Sequence, residues 1–341
     1  MTSLIPPELR ARLRDLRLAA RGGAGGDGLG QHASRSRGAG LEFAQYRAYE
    51  PGDELRRIDW KLYARSDRYF VREAERDSPL TVWAIVDASA SMRQADAARP
   101  GYAKLDAAKT LAACVFELAL RQGDRFGLLA LGGGTPPAAV PRPRSGRGGD
   151  HRRSRGWGED ESASADSIAP AAAAPTFVPA GAGPRQRDRC LLELARLQAA
   201  GRWPDAAALR PLWERVQPSA VVVMFSDFFD DEAVELALRF AAARREVLTV
   251  QMLSAEERDF PFAGGHRLRD PESGAERRVE AAAVRKDYLE RFAAARAELA
   301  RRFGAGGIRH VEYVLDRPLD EPLRTFFAPG AARASGGGRT A

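Results

Sequence analysis

LTVWAIVDASASM, residues 80–92, decides the fold. Its first seven residues, 80–86, are an apolar, β-rich run that stops abruptly at Asp87-Ala88-Ser89-Ala90-Ser91, the pattern of a buried strand meeting a loop. A second run of the same kind, VVVMF at 221–225, ends at Ser226-Asp227. Helical spacing fills the space between and after them. Ala108, Leu111, Ala112, Val115 and Leu118 predict an amphipathic helix over 105–121, followed by a strand at 125–131. Further on, the pattern predicts a strand near 176–180, helices at 186–199 and 205–216, and a helix at 231–243. A strand at 247–253, a hairpin around Asp270-Pro271-Glu272-Ser273-Gly274, a helix at 281–303 and a strand at 308–315 complete it. Alternating strands and helices imply an α/β fold with a mostly parallel sheet covered on both faces.

The organisation expected from this reading has three parts. Residues 1–78 form a small N-terminal extension containing short strands, 79–328 form the α/β domain, and 329–341 form a disordered tail. In the extension, Leu9, Leu13, Leu16 and Leu18 lie among arginines and predict a short amphipathic helix within 4–20, packed on the main body. Gly22–Gly30 contains a G-x-G-x-x-G match, but a helical pattern precedes it and polar residues follow, so it reads as a linker and not as a nucleotide loop. Pro51-Gly52 predicts a type II turn flanked by short strands. Residues 142–174 have a basic half, an acidic half and an alanine run with little to bury, which reads as a disordered insertion in the domain.

Composition sets the outer bounds. The 341 residues carry a net charge of +7, yet 46 acidic residues are interspersed among 53 basic ones, of which only Lys61, Lys104, Lys109 and Lys286 are lysines. The arginine bias runs along the whole chain and looks compositional, which weakens the case for a nucleic-acid partner. Two cysteines, Cys114 and Cys190, allow neither a disulfide framework nor a Cys-rich zinc site. No run of 18 apolar residues and no secretory signal pattern is present, so a soluble, cytoplasmic protein without a membrane span is expected.

The candidate chemistry lies in Asp87, Ser89, Ser91 and Asp227. In an open parallel sheet the carboxyl ends of the strands border the ligand crevice where strand order reverses, so both groups are expected to face it. Two hydroxyls and one or two carboxylates suit a hard cation such as Mg²⁺, which binds oxygen and keeps several waters. A site so sparsely filled leaves a position for an acidic side chain of a partner. The competing reading is that Asp87 and the serines cap the next helix; the second strand ending in Ser-Asp shifts the balance towards a metal. Asp230 and Asp231 begin the following helix, and capping accounts for them.

These residues carry a resemblance. The strand, Asp-x-Ser-x-Ser loop, helix and later strand-Ser-Asp resemble a von Willebrand factor A domain with a metal-ion-dependent adhesion site. GAGLEF (38–43), YRAYEPGDELRRIDWKLYAR (46–65), YFVREAE (69–75) and VDASASM (86–92) are similar to the bacterial family called domain of unknown function 58. The resemblance implies a doubly wound, von Willebrand factor A-like fold, a Mg²⁺ site at Asp87, Ser89, Ser91 and Asp227, and a MoxR-type AAA+ ATPase partner. It also implies a chaperone-like role in assembly or maturation of a client protein. The chain departs from the A-domain pattern where a threonine ligand is usual: 199–209 offers Trp203 and Pro204, with Asp205 as a substitute or as a helix cap.

Three functional classes follow. A non-enzymatic binding module needs only the features above. A hydrolase with an unrecognised active site lacks support, since His32, His151, His266 and His310 are scattered and no H-E-x-x-H or phosphate loop occurs. A basic nucleic-acid or anionic-surface binder rests on the charge, the arginines within 10–17 and the basic half of the 142–174 insertion. Within 46–65, Asp53, Arg56, Arg57, Asp59 and Trp60 fit either a partner surface or an internal patch fixing the segment to the domain.

Overall fold

Val82–Val86 and Val221–Phe225 pair residue for residue as parallel strands, because each presents apolar side chains on both faces and so requires cover on both. Around this pair the computed structural model, which describes residues 4–18, 43–49, 58–74, 79–97, 99–132, 175–272 and 274–329, builds a six-stranded sheet. Its strands are β3 (Thr81–Ala88), β4 (Arg125–Gly132), β5 (Thr176–Gly181), β6 (Val221–Ser226), β7 (Glu246–Leu253) and β10 (Arg309–Val314). The order is β10-β7-β6-β3-β4-β5, parallel except for β5, which runs antiparallel to β4 at one edge. The chain moves from β3 to β4 and β5 on one side, then crosses to β6 on the other. Strand order therefore reverses at the β3/β6 junction.

Side-chain alternation along β3 assigns the two layers. Val82, Ala84, Val86 and Ala88 share a core with α3 (Lys104–Gln122), α4 (Pro184–Arg196), α9 (Glu321–Phe327) and α1 (Pro7–Arg12). Trp83 and Ile85 point into a second core with α5 (Ala206–Trp213), α6 (Asp231–Ala242) and α8 (Ala281–Ala305). The fold is thus α/β, doubly wound and mostly parallel, as the sequence and its family resemblance imply. Full burial of each Val, Leu, Ile or Phe contributes about 1.5–3 kcal/mol, so both layers are strongly held.

The N-terminal helix is shorter than the leucine spacing predicts. It ends at Arg12, yet Leu13, Leu16 and Leu18 remain buried, and Arg121 donates to the Leu13 and Arg14 carbonyls. Residues 4–18 are thereby part of the first core. β1 (Phe43–Ala48) pairs antiparallel with β2 (Phe70–Ala74), while the segment between them differs from expectation. The segment contains a helix that the sequence reading does not include, α2 (Trp60–Ser66), which the Asp59 carboxylate caps by accepting from the Lys61 and Leu62 amides. Trp60 is 57% exposed and Tyr69 46%, with Tyr63 stacked on Tyr69 at 4.5 Å. The Gly22–Gly30 linker, Pro51-Gly52, Asp53, Arg56, Arg57, the 142–174 insertion and the tail lie outside the described residues. Among the described residues, no helix is long and apolar enough to cross a membrane.

The sequence does not anticipate α7 (Ala255–Asp259), a single turn after β7 fixed by a reciprocal cap in which Glu257 and Ser254 bond each other's amides. Next comes an antiparallel hairpin, β8 (Gly265–Arg269) and β9 (Glu276–Glu280), which forms its own two-stranded sheet.

Candidate functional site

The β3/β6 register sets the site. Val86 lies opposite Phe225, so the next residues, Asp87 and Ser226, come abreast, and the Ser226 hydroxyl donates to Asp87 Oδ2 at 2.5 Å. The other carboxylate oxygen accepts the Ser89 amide at 2.8 Å, which turns the chain out of the strand. Ser89 and Ser91 then face each other with their hydroxyls 3.0 Å apart. Neither caps the next helix: a short 3-10 turn, Ala90–Arg93, follows with no side-chain cap, and α3 begins only at Lys104. The loop lies against the end of β4. A Cβ on Gly132, whose φ is +76°, would stand 2.7 Å from the Ser89 nitrogen, so glycine permits this approach.

Asp227 enters from β6. Its Oδ1 accepts the Phe229 amide at 3.3 Å and its backbone carbonyl accepts Gln251 Nε2 at 3.1 Å. Asp87, Ser89, Ser91 and Asp227 all line one crevice of about 390 Å³ at the strand-order reversal, together with Glu256, Glu257, Phe260 and Tyr288. The sequence reading thus brings together the four residues it names. Asp205 does not join them: it caps α5 through the Ala208 amide at 2.8 Å. The stretch where a threonine would be expected does run beside the loop, since Ala200 donates to the Ala88 carbonyl and Ala90 to that of Gly201, at 2.9 and 3.0 Å. Trp203 there is buried, and its indole nitrogen has no hydrogen-bond partner among the described residues. Asp230 caps α6 through the Glu232 amide, as expected.

Lys104 was not anticipated. Fully buried at the first position of α3, its ammonium donates to Asp227 Oδ2 at 2.8 Å and Glu257 Oε1 at 2.9 Å, and lies 4.9 Å from the Phe229 ring centre. Burial alone would lower its pKa; the Asp227 and then the Glu257 charges overcome that and hold it above the ordinary lysine value. One signal was available. In a chain that uses arginine almost everywhere, a lysine marks a place where a point charge fits and a planar fork does not.

One ammonium does not balance the crevice. Asp87 is pushed up to about 7, first by burial and then by the Asp227 charge, against the hydrogen bonds from Ser226 and Ser89. Asp230 is pushed up to about 6, first by burial, and Glu272 is also raised, by burial and then by Asp227. The lining is mostly acidic, with Arg269 also part of it and Lys104 bonded to two of its carboxylates, and so is ill-suited to phosphates. Neither described histidine lines it: His266 sits at the hairpin foot and His310 on β10, bonded to Thr249 at 2.9 Å.

Two hydroxyls and two carboxylates are the donors that a hard divalent cation takes, and each Asp87 oxygen retains a free lone pair. Among the described residues no group of three or more His, Cys, Asp or Glu is placed to hold a metal. An ion here would depend on the serine hydroxyls as well as on Asp87 and Asp227.

Comparison with known proteins gives three findings. The family model described as "Protein of unknown function DUF58" matches residues 45–152 and 162–298. The chain is 32% identical over 326 residues to the uncharacterized proteins Mb1516 of Mycobacterium bovis and Rv1480 of Mycobacterium tuberculosis, covering 94% of this chain and 90% of each relative. Among solved structures, the conserved hypothetical protein BatB of Bacteroides thetaiotaomicron aligns at 12% identity with a TM-score of 0.38, over 72% of this chain and 94% of that one. An aerotolerance-related membrane protein of Bacteroides fragilis aligns at 13% identity with a TM-score of 0.39, over 72% and 96%.

Proposed function

We propose, from the premise that this chain belongs to the DUF58 family of proteins of unknown function, that it is a non-enzymatic protein-binding module of von Willebrand factor A-like design. Its crevice takes up a divalent cation of the Mg²⁺ type and offers it to an acidic side chain of a partner. The observation that carries this reading is the convergence of Asp87 and Asp227, from the ends of β3 and β6, with Ser89 and Ser91 at the strand-order reversal. Asp87, Ser89, Ser91 and Asp227 would hold the ion, which when bound supplies a Lewis-acidic docking point. The unbalanced carboxylates supply the attraction. Asp87, buried and facing Asp227, gains most from a cation, and Lys104 keeps Asp227 oriented by occupying only one of its oxygens.

The partner class implied by the family resemblance is a MoxR-type AAA+ ATPase, working with this module on a client in the cytoplasm. The test uses the full chain and a purified ATPase of that type from the same genome, with affinity measured by interferometry in Mg²⁺ and in chelator. Binding that requires Mg²⁺ and that Asp87→Ala weakens at least tenfold, with the melting temperature retained, supports the reading. Calorimetry showing no Mg²⁺ uptake by the wild-type chain would refute the metal role, and Mg²⁺-independent binding would refute metal-mediated docking.

A further inference from the structure

Helix α2 has seven residues and none of them is buried. So short a helix does not persist in water on propensity alone; the Asp59 cap and a set of aromatic rings hold it in place. Trp60 and Tyr63, on one face of the helix, meet edge to face at 6.1 Å. Tyr63 stacks on Tyr69, just before β2, and Tyr69 in turn meets Trp60 and Tyr49 edge to face at 6.4 and 6.2 Å. Trp60 and Tyr69 are both exposed, so the rings form a contiguous aromatic surface. Single exposed apolar side chains are ordinary, whereas a joined patch with a polar rim marks an interaction site.

The rim carries one sign. Lys61 and Arg65 stand four residues apart on α2, and Arg68 follows the helix. All three are exposed, and none makes an ion pair among the described residues. Like charges at that spacing weaken a helix, and Asp67 is the one acid within 60–70 to offset the three cations. Asp59 does not join the surface, since it is buried as the cap.

The ring geometry selects the kind of partner. Bases of a single strand stack on open ring faces, but Tyr63 and Tyr69 spend a face on each other and stand nearly perpendicular to Trp60, at 83° and 88°. A lipid surface takes up a longer apolar helix face than a single indole offers. Rings locked by their neighbours and bordered by cations suit a protein segment, because they lose little freedom when it binds. We infer that the Trp60, Tyr63 and Tyr69 surface docks an acidic segment of a partner protein, with an apolar side chain of that segment on the Trp60 indole and its carboxylates paired with Lys61, Arg65 and Arg68. This goes beyond the crevice reading and needs no metal.

The test uses the full chain in chelator, which silences any cation site, and a short fluorescein-labelled peptide of Glu, Asp and Phe followed by anisotropy. A second peptide carries Lys in place of every acid. Trp60→Ala is expected to weaken binding of the acidic peptide about tenfold. The double variant Lys61→Glu/Arg65→Glu should weaken it at least as much and bind the basic peptide more tightly than wild type does. Melting temperatures should stay at the wild-type value; if Trp60→Ala melts lower, the charge reversal, which leaves every ring in place, carries the test. A wild type that ignores the acidic peptide, or a charge-reversed variant whose affinities for both peptides are unchanged, would overturn the inference. So would oligothymidylate or phosphatidylglycerol vesicles that bind more tightly than the acidic peptide and depend on Trp60, in favour of a nucleic acid or a membrane.

Discussion

Replacing Lys104 by methionine removes the buried cation bonded to Asp227 and Glu257 while keeping most of the side chain's length. The ammonium has no exposed surface and bonds Asp227 and Glu257 at 2.8 and 2.9 Å, with their side chains 2% and 18% exposed. Breaking a buried pair by removing one partner costs about 3–5 kcal/mol, because the remaining charge is left uncompensated. For a domain of this size each kcal/mol moves the melting temperature by about 2–4 °C, so the variant should melt about 6–20 °C lower. Glu257 retains some contact with water, which favours the lower half of that range. Melting followed by circular dichroism at pH 7.5 in chelator reads the loss directly. The double variant Lys104→Met/Asp227→Asn should recover part of it, since removing both charges leaves less to compensate, and the cycle isolates the pair. A loss below about 1 kcal/mol, or a double variant less stable than the additive sum, would refute Lys104 as the countercharge.

Other parts of the molecule make further predictions. Gly127→Ala places a Cβ 2.7 Å from the Trp83 ring, which cannot retreat because it stacks on Phe177 and donates to Gln217; a loss of about 1–3 kcal/mol is expected in a melt, and an unchanged midpoint would contradict the packing. His310 is held neutral mainly by burial, with its pKa lowered to about 4. The unfolded chain takes up that proton near the ordinary value of about 6.5, so stability should fall as pH drops from about 6.5 to about 4, by roughly 3 kcal/mol at most. Below that window this group adds no further loss. His310→Gln should flatten the acid limb of urea-unfolding curves, and an unaltered limb would show that the imidazole is solvated.

The framework of the molecule could be read from local chemistry. The runs at 80–86 and 221–225 became β3 and β6 because branched apolar residues in short stretches fit a sheet covered on both faces. The site residues were legible for the same reason: a carboxylate that ends such a run must emerge at the sheet's rim. Lys104 was not, because its partners lie 123 and 153 residues further along and only the crossover from β5 to β6 and the turn at α7 bring them close. Helix α2 was missed although its signal was present, Asp59 standing at the cap position before a run of good helix formers. The hairpin at 270–274 could be read from its turn residues, but where its tip goes depends on the foot at Gly264 and on α8, which no local pattern encodes. The capping reading of Ser89 and Ser91 failed because a 3-10 turn and the loop to Lys104 separate them from the helix.

The antiparallel edge strand carries one more consequence. Ala130 of β4 lies opposite Thr176 of β5, so the chain leaves the sheet after Gly132 and rejoins it at nearly the same point, beside the Ser89 loop. Whatever joins two such adjacent ends can double in length at a cost of only about 0.6 kcal/mol. A change in the length of that connection should therefore leave the stability of the sheet nearly unaltered. The sheet's own geometry thus sets both ends of that connection at the rim where the Ser89 loop lies.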